Sequence, residues 1–293
     1  MAYFIQLIVE GFATGSIYGA LALAIVLVNR ATGLINFAQG AMAVLATYVA
    51  YALTKIGAPL PLAMLAAFVF AFLYGAVVER LIIRKFEGGD PDTAVVVTIG
   101  LLLLTTGISA LFFGYEPQQF PSLFPDGSLD LAGIFLSIRS VGTIIVLMVV
   151  MFALQMLFRV TKIGLAMRAV ADNPQSSALS GLPVSGLLML GWGLAALLGS
   201  VAGVLVAPTL FISPGMLDHV LVYALMAAIL GGLDSPLGAV VAAWAIGIIE
   251  NLAGAYVPLF GDDLKIAVPF LLVMVVMILR PQGLFGRKVV VRV

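Results

Sequence analysis

Long apolar runs, broken by short polar punctuation, dominate the 293-residue chain. A helix that crosses the ~30 Å hydrocarbon layer of a bilayer needs about 17–25 largely apolar residues. That rule predicts about nine spanning segments, near residues 5–28, 37–54, 59–83, 94–114, 140–158, 184–207, 219–233, 236–257 and 264–279. The seventh is short and ends at Gly231-Gly232, the pattern of a half-helix or a re-entrant piece. Closed β-barrels also satisfy the backbone in lipid, but their strands alternate apolar and polar residues over about ten positions. Runs such as Ala94–Phe113 are continuously apolar. The pattern therefore predicts an all-α integral membrane protein, a polytopic helical bundle forming a single transmembrane domain over residues 1–293.

Two polar stretches are long enough to carry structure of their own. One, from Gly114 to Ser140, is acidic and contains proline. The other, from Val160 to Pro183, differs in composition from both flanking segments. Within it, Ile163 to Ala171 favours a helix, with Arg168 interrupting its apolar character. Asn173 suits an N-cap, and Pro174 suits the first helical position, where its missing N–H costs nothing. Gly181 falls where a left-handed C-cap belongs, and Pro183 forbids continuation. Two short helices with a sharp bend at Asp172–Pro174 are expected. Locally, this is either a plain surface connection or a rigid knob that docks onto a partner.

Two glycine-rich helix starts carry polar groups. Gly33-Leu34-Ile35-Asn36-Phe37-Ala38-Gln39-Gly40 precedes the second segment, and Gly231-Gly232-Leu233-Asp234-Ser235-Pro236-Leu237-Gly238 precedes the eighth. A polar group in lipid without a partner costs several kcal/mol, roughly 2–7 by transfer measurements. Asn36 and Gln39 are therefore either hydrogen-bonded struts between packed helices or part of a broken helix lining a transport path. Glu250 and Asn251 lie inside an otherwise apolar segment and leave the same two readings open. Glu79 and Arg80, at a segment end, read as interfacial anchors, and His219 as an interfacial residue.

Composition changes the picture by excluding a soluble fold. Hydrophobic residues make up 63% and charged residues 10% of the chain, and mean hydropathy is +1.21. A soluble domain carries about 25% charged residues. The absence of cysteine excludes disulfides, thiol catalysis and cysteine-based metal sites. A cleaved signal peptide is not expected, because the first apolar run follows Met1-Ala2-Tyr3 with no basic region.

Net charge is zero, but the basic residues are unevenly placed. With the N-terminus outside and the C-terminus in the cytoplasm, eleven face the cytoplasm: Arg30, Arg80, Arg84, Lys85, Arg159, Lys162, Arg168, Arg280, Arg287, Lys288 and Arg292. Only Lys55, Arg139 and Lys265 face out. Cytoplasmic enrichment of Lys and Arg favours this orientation. It places 114–140 outside and the 161–183 segment in the cytoplasm.

No phosphate-binding Gly-x-x-x-x-Gly-Lys-[Ser/Thr] loop, His-Glu-x-x-His or Gly-x-Ser-x-Gly motif occurs. No catalytic residue, metal site or cofactor is expected. The absence of a chain of mid-membrane acids argues against an ion-coupled pump.

Three segments carry a resemblance: GLINFAQGAMAVLATYVAY, RAVADNPQSSALSGLPV and GGLDSPLGAVVAAWAIGIIENLAGAY. They resemble the LivH-type permease of branched-chain amino acid ABC importers, in order and over nearly the whole chain. Gln39 stands where many relatives have His, and Asp234 where Gly is common. The resemblance implies an ABC importer permease fold in the cell inner membrane, carrying leucine, isoleucine or valine. It further implies a second, LivM-like permease, two cytoplasmic ABC ATPases and a periplasmic substrate-binding protein as partners. By it, 161–183 becomes the cytoplasmic coupling segment, with Arg168, Asp172, Asn173, Pro174, Ser180 and Gly181 as ATPase contacts. Asn36, Gln39, Glu250 and Asn251 become translocation-path candidates. The alternatives are a permease for urea, short amides or another amino acid, and a stand-alone secondary transporter.

Overall fold

A computed structural model describes residues 2–86, 91–131, 134–256 and 266–286. Among them are α1 (Ala2–Thr32), α2 (Gln39–Lys55), α3 (Leu60–Leu81), α4 (Pro91–Phe113), α5 (Ile138–Val160) and α6 (Lys162–Asp172). There follow α7 (Pro174–Leu179), α8 (Val184–Leu210), α9 (Asp218–Gly231), α10 (Pro236–Tyr256) and α11 (Ala267–Leu279). Each of the nine apolar segments expected from sequence coincides with a helix: α1 to α5 and α8 to α11. Six of these, all but α2, α9 and α11, are long and apolar enough to cross a membrane. The 14 residues of α9 rise only about 21 Å, short of the hydrocarbon thickness. Of the basic residues used for orientation, Lys265, Arg287, Lys288 and Arg292 lie outside the described residues.

The chain divides into two compact units. The first comprises Met1–Val26, Phe124–Leu147 and Val220–Val293, the second Leu27–Leu123 and Met148–His219.

In the first unit, α1 and α10 meet backbone to backbone. Gly11 and Gly15 are four residues apart on α1, as Ala243 and Gly247 are on α10. Such small-residue pairs let helices approach closely in lipid, where association rests on packing. A Cβ at Gly11 would lie 2.6 Å from the Ile248 Cα, and one at Gly15 2.7 Å from the Ala243 carbonyl oxygen. Phe12 stacks on Trp244 with ring centroids 4.7 Å apart, and the Trp244 indole donates to the Ser16 hydroxyl at 3.1 Å. The α9–α10 turn is closed by Ser235, whose hydroxyl accepts from the Gly238 N–H at 3.1 Å. Past α11, the N–H groups of Leu284 and Phe285 reach the terminal α9 carbonyls of Leu230 and Gly231 at 2.8 and 3.2 Å. They satisfy acceptors that a helix end leaves open. The second glycine-rich segment is thus a tight, hydrogen-bonded turn.

An antiparallel hairpin, β1 (Ser128–Leu131) with β2 (Ile134–Ser137), stands in the 114–140 stretch, with Ser128 opposite Ser137. Beside it, Arg139 pairs with Asp126.

In the second unit, α2, α3 and α4 pack together and both α2 and α3 pack on α8. Tyr48 stacks on Phe113 at 4.3 Å, and Tyr74 shares a 2.8 Å hydrogen bond with Thr105. Glu79, near the end of α3, is fully buried within the protein. Arg84 grips it with two bonds, at 3.1 and 2.7 Å, and also donates to the Ser185 carbonyl at the start of α8. Arg80 stays exposed.

Candidate functional site

Between α1 and α2 the helix breaks at residues 33–38. Asn36 folds back so that its side-chain oxygen accepts from the Ala38 N–H at 3.0 Å. Its amide nitrogen donates to the Gln39 side-chain oxygen at 3.1 Å, and Gln39 donates to the Ala195 carbonyl on α8 at 2.9 Å. Both side chains are fully buried. Gly199 makes room for this, since a Cβ there would lie 2.5 Å from the Gln39 amide nitrogen. The two amides thus satisfy one another and an α8 carbonyl, a latch between a broken helix start and its neighbour.

Glu250 belongs to the first unit, near the far end of α10, with 6% of its surface exposed. Tyr18 on α1 donates to its carboxylate at 2.8 Å. Tyr223 on α9 stacks on Tyr18, with centroids 4.7 Å apart and planes 8° from parallel. Asn251 is half-buried beside it in sequence. Sequence reasoning named Glu250 but missed both tyrosines. A tyrosine in an apolar helix carries a signal only once its partner across the fold is known.

The 161–183 segment forms the two short helices its sequence implies. The Thr161 hydroxyl donates to the Leu157 carbonyl at 2.6 Å and accepts from the Gly164 N–H at 3.0 Å, joining the end of α5 to the start of α6. Gly164, Met167 and Val170 form the buried stripe of α6, which packs on α8. Asn173 caps α7 by accepting from the Ser176 N–H at 2.9 Å, with Pro174 in the first turn. At the other end the Gly181 N–H reaches the Ala178 carbonyl and the Leu182 N–H reaches the Ser177 carbonyl, each at 3.0 Å. Gly181 sits at φ +82°. This is the paired-bond C-cap that favours glycine.

Asp172, Asn173, Pro174, Ser180 and Gly181 are exposed on this knob, and Arg168 is half-buried. Leu179, which sequence reasoning did not single out, is 91% exposed on α7.

The apolar helices, six of them long enough to cross a bilayer, define a multi-pass membrane protein. The comparisons make this specific. Residues 7–279 match the family model described as branched-chain amino acid transport system / permease component. The chain is 30% identical to the high-affinity branched-chain amino acid transport system permease protein BraD of Pseudomonas aeruginosa, over 99% of this chain and 98% of that protein. It is 28% identical to LivH of Escherichia coli K12 over the same shares. It is 27% identical to the probable LivH of Methanocaldococcus jannaschii, over 91% of this chain and 87% of that protein. A solved structure, PsaBC from Streptococcus pneumoniae in complex with Fab, matches at 13% identity and a TM-score of 0.49, covering 93% of this chain and 91% of that one.

The chain belongs to the branched-chain amino acid transport permease family. It is a membrane permease component of a transport system and not an enzyme.

Proposed function

We propose that this chain is one of two membrane-spanning subunits of an ATP-driven importer for leucine, isoleucine and valine in the cell inner membrane. The match to BraD over 99% of the chain supports this most strongly, because it spans all the helices. In this reading the nine helices α1–α5 and α8–α11 form one permease domain with the N-terminus outside and the C-terminus in the cytoplasm. The partners are a LivM-like permease, two cytoplasmic ABC ATPases and a periplasmic binding protein.

The knob at 161–183 is the coupling segment. Arg168, Asp172, Asn173, Pro174, Ser180 and Gly181, together with the exposed Leu179, meet the ATPase. Its caps make it stiff, so closure of the ATPases displaces α6 and α7 as a body, and α6 passes the push to α8. The substrate path opens alternately to either side, with Glu250 and Asn251 lining it. Asn36 and Gln39 hold the broken start of α2 against α8. ATP is hydrolysed in the partner chains, and no covalent chemistry occurs here.

Uptake of labelled leucine by proteoliposomes holding the reconstituted importer tests this reading. Uptake that needs ATP, the binding protein and this chain is expected. Uptake driven by an ion gradient without ATP would replace this reading with a stand-alone secondary transporter.

A further inference from the structure

Glu250 is the one carboxylate of α10, buried within an apolar helix. Among the described residues, no Lys, Arg or His forms an ion pair with it; the ion pairs there are Arg84–Glu79 and Arg139–Asp126. Its surroundings are phenolic instead. The Tyr18 hydroxyl donates at 2.8 Å, and the Tyr223 ring on α9 stacks face to face on the Tyr18 ring. A carboxylate offers about four lone-pair positions, and the Tyr18 bond fills one of them. Phenols supply hydrogen bonds but no positive charge. A buried carboxylate without a cation is costly, and in membrane helices such groups mark ion and substrate pathways.

We infer that Glu250, flanked by Tyr18 and Tyr223, is the subsite that receives the ammonium group of the transported amino acid. This deepens the proposed translocation role of Glu250 and rests on that reading. The ammonium brings the missing positive charge and three donors to the carboxylate. The Tyr18 hydroxyl holds the carboxylate and Tyr223 backs the Tyr18 ring by stacking, so the site is assembled before substrate arrives. Such a site selects for the group all amino acids share and leaves the side chain to be read elsewhere.

E250Q separates charge from structure, because the amide oxygen still accepts from Tyr18 while the negative charge is gone. In proteoliposomes with the complete importer, E250Q is expected to lower leucine uptake by about tenfold or more, the scale of losing a charge-assisted contact. Assembly with the partners and the melting temperature of the complex are expected to stay unchanged. Leucine uptake by E250Q equal to wild type would overturn the inference. A second measurement needs no substitution. The melting temperature of the wild-type complex, purified without binding protein, is followed with 3-methylbutylammonium or with 4-methylpentanoate. Stabilisation by the ammonium ion alone is expected; equal stabilisation by both, or none by the ammonium ion, would overturn the inference even if E250Q failed to assemble. A wild-type importer that moves no branched-chain amino acid would instead defeat the functional reading on which this rests.

Discussion

Gln39 and Gly199 are one contact seen from two helices. The amide reaches the Ala195 carbonyl only because position 199 carries no side chain. Leaving a buried donor or acceptor unmade costs about 1–3 kcal/mol. Gly199→Ala and Gln39→Leu are therefore each expected to destabilise the permease by roughly that amount, measured by thermal melting in mild detergent. The double variant is expected to cost less than the sum, because both changes break the same bond. Strict additivity would show that the latch is not the shared cause. Sequence alone flagged Asn36 and Gln39 as amides needing a partner, and they have one. It could not name Ala195, because that acceptor is a backbone carbonyl 156 residues away, and every residue has such a carbonyl.

At the scale of elements, the 161–183 knob was legible in detail because its signals are local. Asn173, Pro174 and Gly181 each act within a few residues of themselves, so the bend and both ends of α7 follow from the chain. The hairpin at 128–137 was not legible. Its strands are four residues each, too short for alternation to stand out from a polar loop. Leu179 was missed for another reason: exposure belongs to the folded surface and not to the residue.

Gly181→Val places a β-branched side chain at φ +82°, where L residues are strained. The end of α7 is expected to unwind, leaving insertion intact while uncoupling ATP hydrolysis from transport. Leu179→Asp is expected to leave α7 folded and to lower substrate-stimulated ATPase activity about tenfold, as loss of an interface hot spot does. Normal stimulated activity in both variants would remove the knob from the coupling path. On the other unit, Gly15→Val is expected to force α1 off α10, because its new methyl groups meet the Ala243 backbone. Increased protease sensitivity of the purified chain checks this.

Over the whole molecule, the positive-inside pattern predicts an orientation that a simple labelling series can read. The chain has no cysteine, so single cysteines can be introduced on a silent background. A cysteine at Ser180 is expected to react with a membrane-impermeant thiol reagent only from the cytoplasmic side, and one at Ser128 only from outside. The reverse pattern would invert the topology and take the knob away from any cytoplasmic ATPase. Composition made the membrane class plain before any helix was placed, because 10% charged residues cannot clothe a soluble surface. Three of the apolar helices fall short of spanning length: α9 and α11, with 14 and 13 residues, and α2, with 17.

Co-purification from native membranes tests the central claim most directly. The tagged chain is isolated in mild detergent, with controls for detergent stripping, and its companions are identified by mass. The account predicts a second, LivM-like permease together with two ATPase chains bearing phosphate-binding loops. Recovery of the chain alone, or as a homodimer, would contradict it and leave the knob without the partner it is built to meet.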